Sequence, residues 1–225
     1  MAGARGLVIV GDSAFAEIAY EYFTHDSDYE VVGFSVERAY LRTDRLFGLP
    51  VVPFEALGEH FEPAAHDVYV AVVYTQLNRL RARLSAAAKA KGFALASYVS
   101  RRAYVWRNVR LGEHCFIFED NTIQPFVTIG NNVVLWSGNH IGHHSTIGDN
   151  CFISSHVVVA GFVEIGANSF LGVNATIANN VKIGRDCWLG PGTTVVKDTA
   201  DAVFVKPDRS AISTASTLRM FRVRE

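Results

Sequence analysis

The chain has 225 residues, of which 49% are hydrophobic and 19% charged, with a formal net charge of −1. That is too apolar for a disordered chain. It also lacks the basic excess that a general affinity for nucleic acid or anionic membrane requires. Eighteen Gly beside only six Pro exclude collagen-like and Pro-rich classes.

The first 98 residues alternate between strand and helix signals. Leu7-Val8-Ile9-Val10 reads as a buried strand broken by Gly11-Asp12-Ser13, and Ala14–Phe23 then carries helix formers. Tyr29–Phe34 is a second strand, Val51-Val52 a third, and Val68–Tyr74 a strong apolar run. Leu77, Leu80, Leu84 and Ala88 fall on one helical stripe. This alternation predicts a small parallel sheet with helices packed on it. The run Leu7–Val10 is too short for a signal-peptide core, and no run reaches transmembrane length. With three cysteines, an odd count, the expectation is a cytoplasmic protein without a disulfide framework.

From residue 99 the pattern changes. Every sixth residue from Val99 to Val195 is Leu, Ile or Val, seventeen positions without a slip. The fifth position of each hexad is mostly small or β-branched, as in Val127, Ser145 and Val163. Positions five and one are two apart and share a strand face, so each hexad is a short strand with an inward pair, followed by a corner. Gly112, Gly130, Gly148, Gly166 and Gly184 recur every 18 residues. Three hexads therefore make one turn of a triangular prism, with residues 18 apart stacked about 4.8 Å from one another. The predicted units are an α/β domain at 1–98, the β prism at 99–200 and a tail at 201–225. Residues 111–198 hold only ten charged side chains, about 11% of that segment. Such a surface is expected to be covered.

The hexads resemble the hexapeptide-repeat acyltransferases, and the two-part layout resembles their nucleotide-sugar acyltransferase group, the NeuD/PglD-like family. The resemblance implies a Rossmann-like α/β domain ahead of an all-β left-handed parallel β-helix, assembled as a homotrimer with active sites between protomers. It implies transfer of an acetyl group from acetyl-CoA, the cosubstrate, to an amino group on a nucleotide-linked deoxysugar for surface glycan biosynthesis. A sugar O-acetyltransferase and a non-catalytic trimeric sugar-binding protein are the alternatives.

The family motif is matched by Ile141-Gly142-His143-His144-Ser145-Thr146-Ile147-Gly148. It makes His143 the general base, a role suited to a neutral imidazole near its free pKa. His144 stands where the family has an acidic partner. For the donor, the resemblance points to Gly161, Val173, Pro191 and Phe152. Gly161 is either a backbone N–H donor to the developing oxyanion or a tight corner glycine. His156 either faces a neighbour's His143 or lines the interface. For the acceptor it points to Gly11, Asp12, Ser13, Ala14, Phe15 and Ser35, although only the first glycine of Gly-x-Gly-x-x-Gly is kept. Glu37 is the nearest carboxylate at that strand end. The other reading of residues 1–98 is a structural cap.

The γ-class carbonic anhydrases use the same prism with zinc, but their His-x4-His pair is missing, so no metal is expected. His114 and His140 read as structural. Cys115, Cys151 and Cys187 share one column at roughly 9–10 Å spacing, too far for a disulfide. Lys206, Arg209, Arg219, Arg222 and Arg224 make the tail basic, either to meet CoA phosphates or as a solvated end.

Overall fold

The computed structural model describes residues 5–208 and 210–223. The chain opens with strands β1 (Arg5–Val10), β2 (Tyr29–Val36), β3 (Arg45–Leu46), β4 (Leu49–Pro53), β5 (His66–Val70) and β6 (Ala94–Leu95). They form one sheet in the order β3-β4-β2-β1-β5-β6. Only the short β3–β4 pair is antiparallel. Helices α1 (Ala14–Asp26), α2 (Leu57–His60) and α3 (Arg79–Ala90) are interleaved. Alternation along β1 divides the sheet's two faces. Leu7 and Ile9 join the cluster that includes Phe15, Ala19 and Phe23 of α1, while Val8 and Val10 join Leu84 and Ala88 of α3.

Two details depart from the sequence pattern. β5 stops at Val70, and Tyr74 turns away to pack on the rings of Phe152, Phe170 and Trp188 at 5.2, 4.6 and 5.5 Å. Leu77 does not join the helical stripe. Gln76, Leu77 and Asn78 are three successive left-handed residues (φ 54°, 50° and 65°), and α3 starts only at Arg79. Each such residue costs roughly 1–2 kcal/mol. Tyr74, and the Asn78 amide against the Asn168 and Ser169 carbonyls, anchor the segment on the prism.

The prism consists of eighteen two-residue strands, from Tyr98–Val99 to Phe204–Val205, in three parallel sheets of seven, six and five. Partners within each sheet from Tyr98 to Val195 are 18 residues apart, as Phe116–Val134 and Ile147–Ile165 illustrate. Positions five and one point inward and build a core from Cys115, Ile117, Val127, Ile141, Val163 and their equivalents. Position four is left-handed at every corner from His114 to Asp186, with φ between 58° and 75°. All but two of these residues are Asn, Asp, His or Gly, the types that accept this conformation most readily. The exceptions are Phe126 and Phe162.

Position six tells the three faces apart. On one face it reads Tyr98, Phe116, Val134, Phe152, Phe170 and Trp188, and the first five of these are buried. This aromatic face receives α1, where Phe15, Tyr22 and Phe23 meet Phe116 at 5.7–6.0 Å. The expectation that further copies cover the outside of the prism is thus corrected for one face in three, which the chain covers itself. The second face carries Tyr104, Thr122, His140, Val158, Thr176 and Thr194. The third carries Arg110, Thr128, Thr146, Glu164 and Lys182.

A buried polar bolt joins the two layers. Arg81 Nε donates to Asn132 Oδ1 (2.9 Å), and its Nη2 donates to the carbonyls of Asn132 (3.0 Å) and Cys151 (3.3 Å). Burial pulls the Arg81 guanidinium down to about 10. The Val70 N–H at the end of β5 donates to His114 Nε2 (2.8 Å), so Nδ1 carries the proton and donates to Asn132 Oδ1 (2.7 Å). Burial pushes the His114 pKa down to about 3, which keeps the ring neutral. Cys115, Cys151 and Cys187 are buried free thiols, and burial raises the first two to about 11 and 12.

Candidate active site

His143 and His144 occupy the two turn positions of a corner between the second and third faces, and both are exposed. The His143 N–H donates to Gln124 Oε1 (2.9 Å), and the Phe162 N–H donates to the His143 carbonyl (3.0 Å). The two rings meet edge to face at 87°, with Nδ1 of each 3.1 Å from the other. The His144 ring is stacked between Phe126 (4.6 Å, 26°) and Phe162 (4.8 Å, 18°), one turn below and one turn above.

Gly161 stacks directly on His143. A Cβ at Gly161 would lie 2.7 Å from His143 Cε1 and 2.9 Å from Nε2. The glycine therefore makes room for the imidazole. Its N–H donates to Asn179 Oδ1 at 2.8 Å. Of the two readings of Gly161 this favours the corner glycine over the oxyanion donor, because that hydrogen is already engaged within the chain.

His156, Val173 and Pro191 belong to the next corner, at the far edge of the second face. All three are exposed, and the His156 ring lies over Gly138 of the preceding turn, where a Cβ would meet its Cδ2 at 2.6 Å. One chain therefore holds the His143–Gly161 corner and the His156–Val173–Pro191 corner a full face apart. Phe152 joins neither. It is 2% exposed, on the aromatic face against Phe170 and Tyr74, and its expected donor contact is corrected to a packing role. A cleft of about 390 Å³ opens on the other side of the His144 corner, between His144, Thr146, Phe162, Glu164 and Lys182.

In the α/β layer, Gly11 has φ +132° and its N–H donates to the Ser35 carbonyl (2.8 Å). A Cβ there would sit 2.8 Å from the Ala71 carbonyl oxygen, so only glycine fits. Ser13 is the N-cap of α1 without a side-chain cap bond, and Ser13 and Ala14 are exposed. Phe15 is buried among Tyr69, Phe116, Phe118 and Trp136, which corrects its acceptor role to core packing. Ser35 is fully buried, and its hydroxyl has no hydrogen-bond partner among the described residues.

Gly11 and Asp12 line a cavity of about 300 Å³ with Val10, Val36, Glu37, Tyr40, Val72, Thr75, Leu80 and Leu84. The cavity lies beyond the carboxyl ends of β1, β2 and β5, where the strand order reverses, the usual ligand position in open α/β sheets. Arg83 pairs with Glu37 through two bonds of 2.9 Å. Tyr40, Thr75, Asn179 and the Phe126–Phe162 sandwich were not singled out in the sequence. The sandwich had a signal, since phenylalanine at position four breaks the Asn/Asp/His/Gly rule. Among the described residues, no three His, Cys, Asp or Glu side chains converge as a metal set. The exposed tail carries Lys206, Arg219 and Arg222, with a short helix α4 at Thr217–Met220. Arg209 and Arg224 lie outside the described residues.

The bacterial transferase hexapeptide family, described as six repeats, matches residues 108–143, 126–161, 144–179 and 162–197. The perosamine N-acetyltransferase of Caulobacter crescentus, solved in complex with CoA and GDP-perosamine, is similar at 29% identity and a TM-score of 0.80. The match covers 88% of this chain and 92% of that one. The acetyltransferase domain of PglB from Neisseria gonorrhoeae has the same fold (23% identity, TM-score 0.80, 89% and 95% coverage). So does WeeI from Acinetobacter baumannii (18%, TM-score 0.68, 89% and 96%). No curated protein matches the chain in sequence. The prism is a left-handed parallel β-helix of hexapeptide repeats, and these likenesses support an acyltransferase. Within that class it has the architecture of the nucleotide-sugar acyltransferases, with a Rossmann-like layer set ahead of the β-helix. No helix among the described residues is long and apolar enough to cross a membrane.

Proposed function

We propose that the protein transfers the acetyl group of acetyl-CoA to the amino group of a nucleotide-linked amino-deoxysugar, in the cytoplasm, for surface glycan biosynthesis. The observation that carries this reading is the exposed His143 ring seated on Gly161, in a chain 29% identical to a perosamine N-acetyltransferase over 88% of its length.

The acceptor nitrogen attacks the thioester carbonyl carbon. His143 Nε2 takes the proton from that nitrogen, the C–S bond of the tetrahedral intermediate breaks, and the proton passes to the departing CoA sulfur. Holding donor and acceptor in contact supplies much of the rate. The cavity at Gly11, Asp12 and Thr75, with Ser13 at the N-terminus of α1, is suited to the nucleotide. Its apolar walls suit a base, and the helix terminus suits phosphate.

The complete site is inter-subunit. The His143–Gly161 corner and the His156–Val173–Pro191 corner stand a face apart in one chain, and a homotrimer brings a corner of each kind together. The donor runs in that groove.

The test is turnover of acetyl-CoA with UDP-, dTDP- and GDP-linked amino sugars. His143→Ala is expected to lower the rate by about 10²- to 10⁴-fold on the active acceptor. An unchanged rate overturns the mechanism. A monomer by light scattering removes the inter-subunit site.

A further inference from the structure

We infer that Gln124 is a positioning residue for the base: it holds the His143 backbone from the turn before, while Gly161 seats the His143 ring from the turn after. The inference rests on the reading of His143 as the base.

The N–H groups at position three of the hexads lie outside the backbone ladder. At Glu113, Asn131 and Gly161 this N–H donates to the side-chain oxygen of the residue 18 further on, at 3.0, 2.7 and 2.8 Å. At His143 the residue 18 further on is Gly161, which has no side chain to offer. The space that admits the imidazole is therefore the space from which the usual hydrogen-bond acceptor is missing.

Gln124 supplies that acceptor from the opposite direction. Its Oε1 takes the His143 N–H at 2.9 Å. Only the carbonyl end of the amide can accept an N–H, so the bond also fixes which way the amide points. Gln124 stands at position two, where Gly142, Ala160 and Ala178 follow it in the same column. A long polar side chain is thus placed one turn before the base, and small residues stand level with the base and beyond it. The next residue continues the hold, since the Pro125 carbonyl accepts the His144 N–H (3.2 Å). From the other side, the Phe162 N–H donates to the His143 carbonyl (3.0 Å). Both peptide groups that flank the His143 Cα are tied to neighbouring turns, which sets the direction of the Cα–Cβ bond and so of the ring.

The coil itself does not need the bond at Gln124. Asp149 is followed in its column by Ala167, and Ser155 by Val173, so these corners also lack an acceptor 18 residues on. Among the described residues, no side chain from the turn before takes the N–H at either of them. The bond at His143 is a local addition, made at the corner where a side chain must be aimed.

The test compares Gln124→Met, which keeps the length of the side chain and loses the acceptor, with Gln124→Glu, which keeps an acceptor oxygen. Two NMR readouts are independent of turnover. Exchange of the His143 backbone amide should be about five- to tenfold faster than wild type in Gln124→Met and close to wild type in Gln124→Glu. The His143 ring lies edge to face with Phe162, 5.1 Å between centroids. Its proton signals, read on the neutral imidazole, should therefore move in Gln124→Met and stay in place in Gln124→Glu. A His143 amide that exchanges equally fast in the wild type and Gln124→Met overturns the inference, as do unmoved ring signals. The third readout is acetyl transfer to the amino-sugar nucleotides. Gln124→Met should lower kcat about tenfold with both KM values nearly unchanged, at an unaltered thermal midpoint. Gln124→Glu should recover most of kcat on the alkaline plateau of the pH profile. Its acid limb should move upward, because a carboxylate beside the imidazole favours the cation. Equal kcat in the wild type and Gln124→Met, or a Gln124→Glu variant as slow as Gln124→Met on that plateau, also overturns the inference. If the wild type acetylates no amino-sugar nucleotide, the proposed reaction fails, while the NMR still decides whether Gln124 holds the ring.

Discussion

The aromatic face and the His143 corner are written in the same eighteen-residue repeat, yet one is sealed and the other is open. Both rest on the same interior of Ile, Leu and Val at positions one and five. They differ only in which outward position carries rings. At position six, Phe116 and Phe152 are covered by α1 and the Tyr74 segment, 0% and 2% exposed. At position four, Phe126 and Phe162 stand out from a corner, 59% and 51% exposed, with His144 between them. Aromatic residues thus serve as cohesion on one side and as a clamp on the other, and the phase within the hexad decides which.

The largest effect expected from this contrast is on stability. Phe116 touches rings from both layers of the molecule, Phe15, Phe23, Tyr69 and Tyr98 among them. Phe116→Ala should cost about 3–5 kcal/mol by denaturant unfolding, whereas Phe162→Ala should stay within about 0.5 kcal/mol. Equal losses would mean that the two ring sets are not functionally distinct.

Next in size is a pH effect at the bolt between the layers. The His114 pKa falls from 6.5 to about 3 on folding because burial penalises the cation. Between those values the unfolded chain binds more protons, so stability is fully present above the unfolded pKa and declines as pH falls below it. The slope is about 1.4 kcal/mol per pH unit for this one group, or about 2–3 kcal/mol by pH 4.5. Urea unfolding at pH 7 and pH 4.5 measures it. The loss should be smaller by about that amount in His114→Gln. An equal loss in both proteins would place the acid sensitivity elsewhere and leave the bolt without its pH signature.

Much of this molecule was legible in its sequence. A strict period of six, with glycine every 18 residues, defines a triangular prism because only a repeated strand-and-corner unit needs that spacing. In the α/β layer β1, α1, β2, β4, β5 and α3 followed from periodicity, while the short β3, α2 and β6 carried no signal of their own. What stayed hidden depends on which residues meet in space. Phe152 was placed at the donor because its column position alone does not reveal that α1 and Tyr74 cover that face. Phe15 was placed at the acceptor because a helix N-terminus in sequence does not show which way its first aromatic ring points. The Gly161 N–H stayed open between an oxyanion donor and a corner glycine because Asn179, 18 residues further on, looks like any other corner residue until the turns are stacked. Position six held the missing signal: Tyr, Phe, Val, Phe, Phe and Trp in one column is a message about coverage that positions one and five do not carry.

The smallest perturbation bears most directly on the open side of the comparison. Gly161 does not have a positive φ, and the three atoms nearest to a Cβ there all belong to the ring of His143. Gly142 would drive a methyl group into the Ala160 backbone at 2.5 Å, so an alanine there must disturb the coil. A methyl group at Gly161 meets instead the exposed end of a side chain, which can swing away. Gly161→Ala should therefore leave the unfolding midpoint nearly unchanged while turning the imidazole off its seat. Displacement of a base by a fraction of an ångström is expected to cost about tenfold in turnover, about 1.4 kcal/mol of barrier. Differential scanning fluorimetry beside the acetyl-transfer assay separates the two quantities. A variant with full activity would show that the seat on Gly161 does not position the base. A variant with a collapsed midpoint would show that the corner is as tightly packed as the aromatic face, and the distinction between sealed and open regions would fail at the residue where it is sharpest.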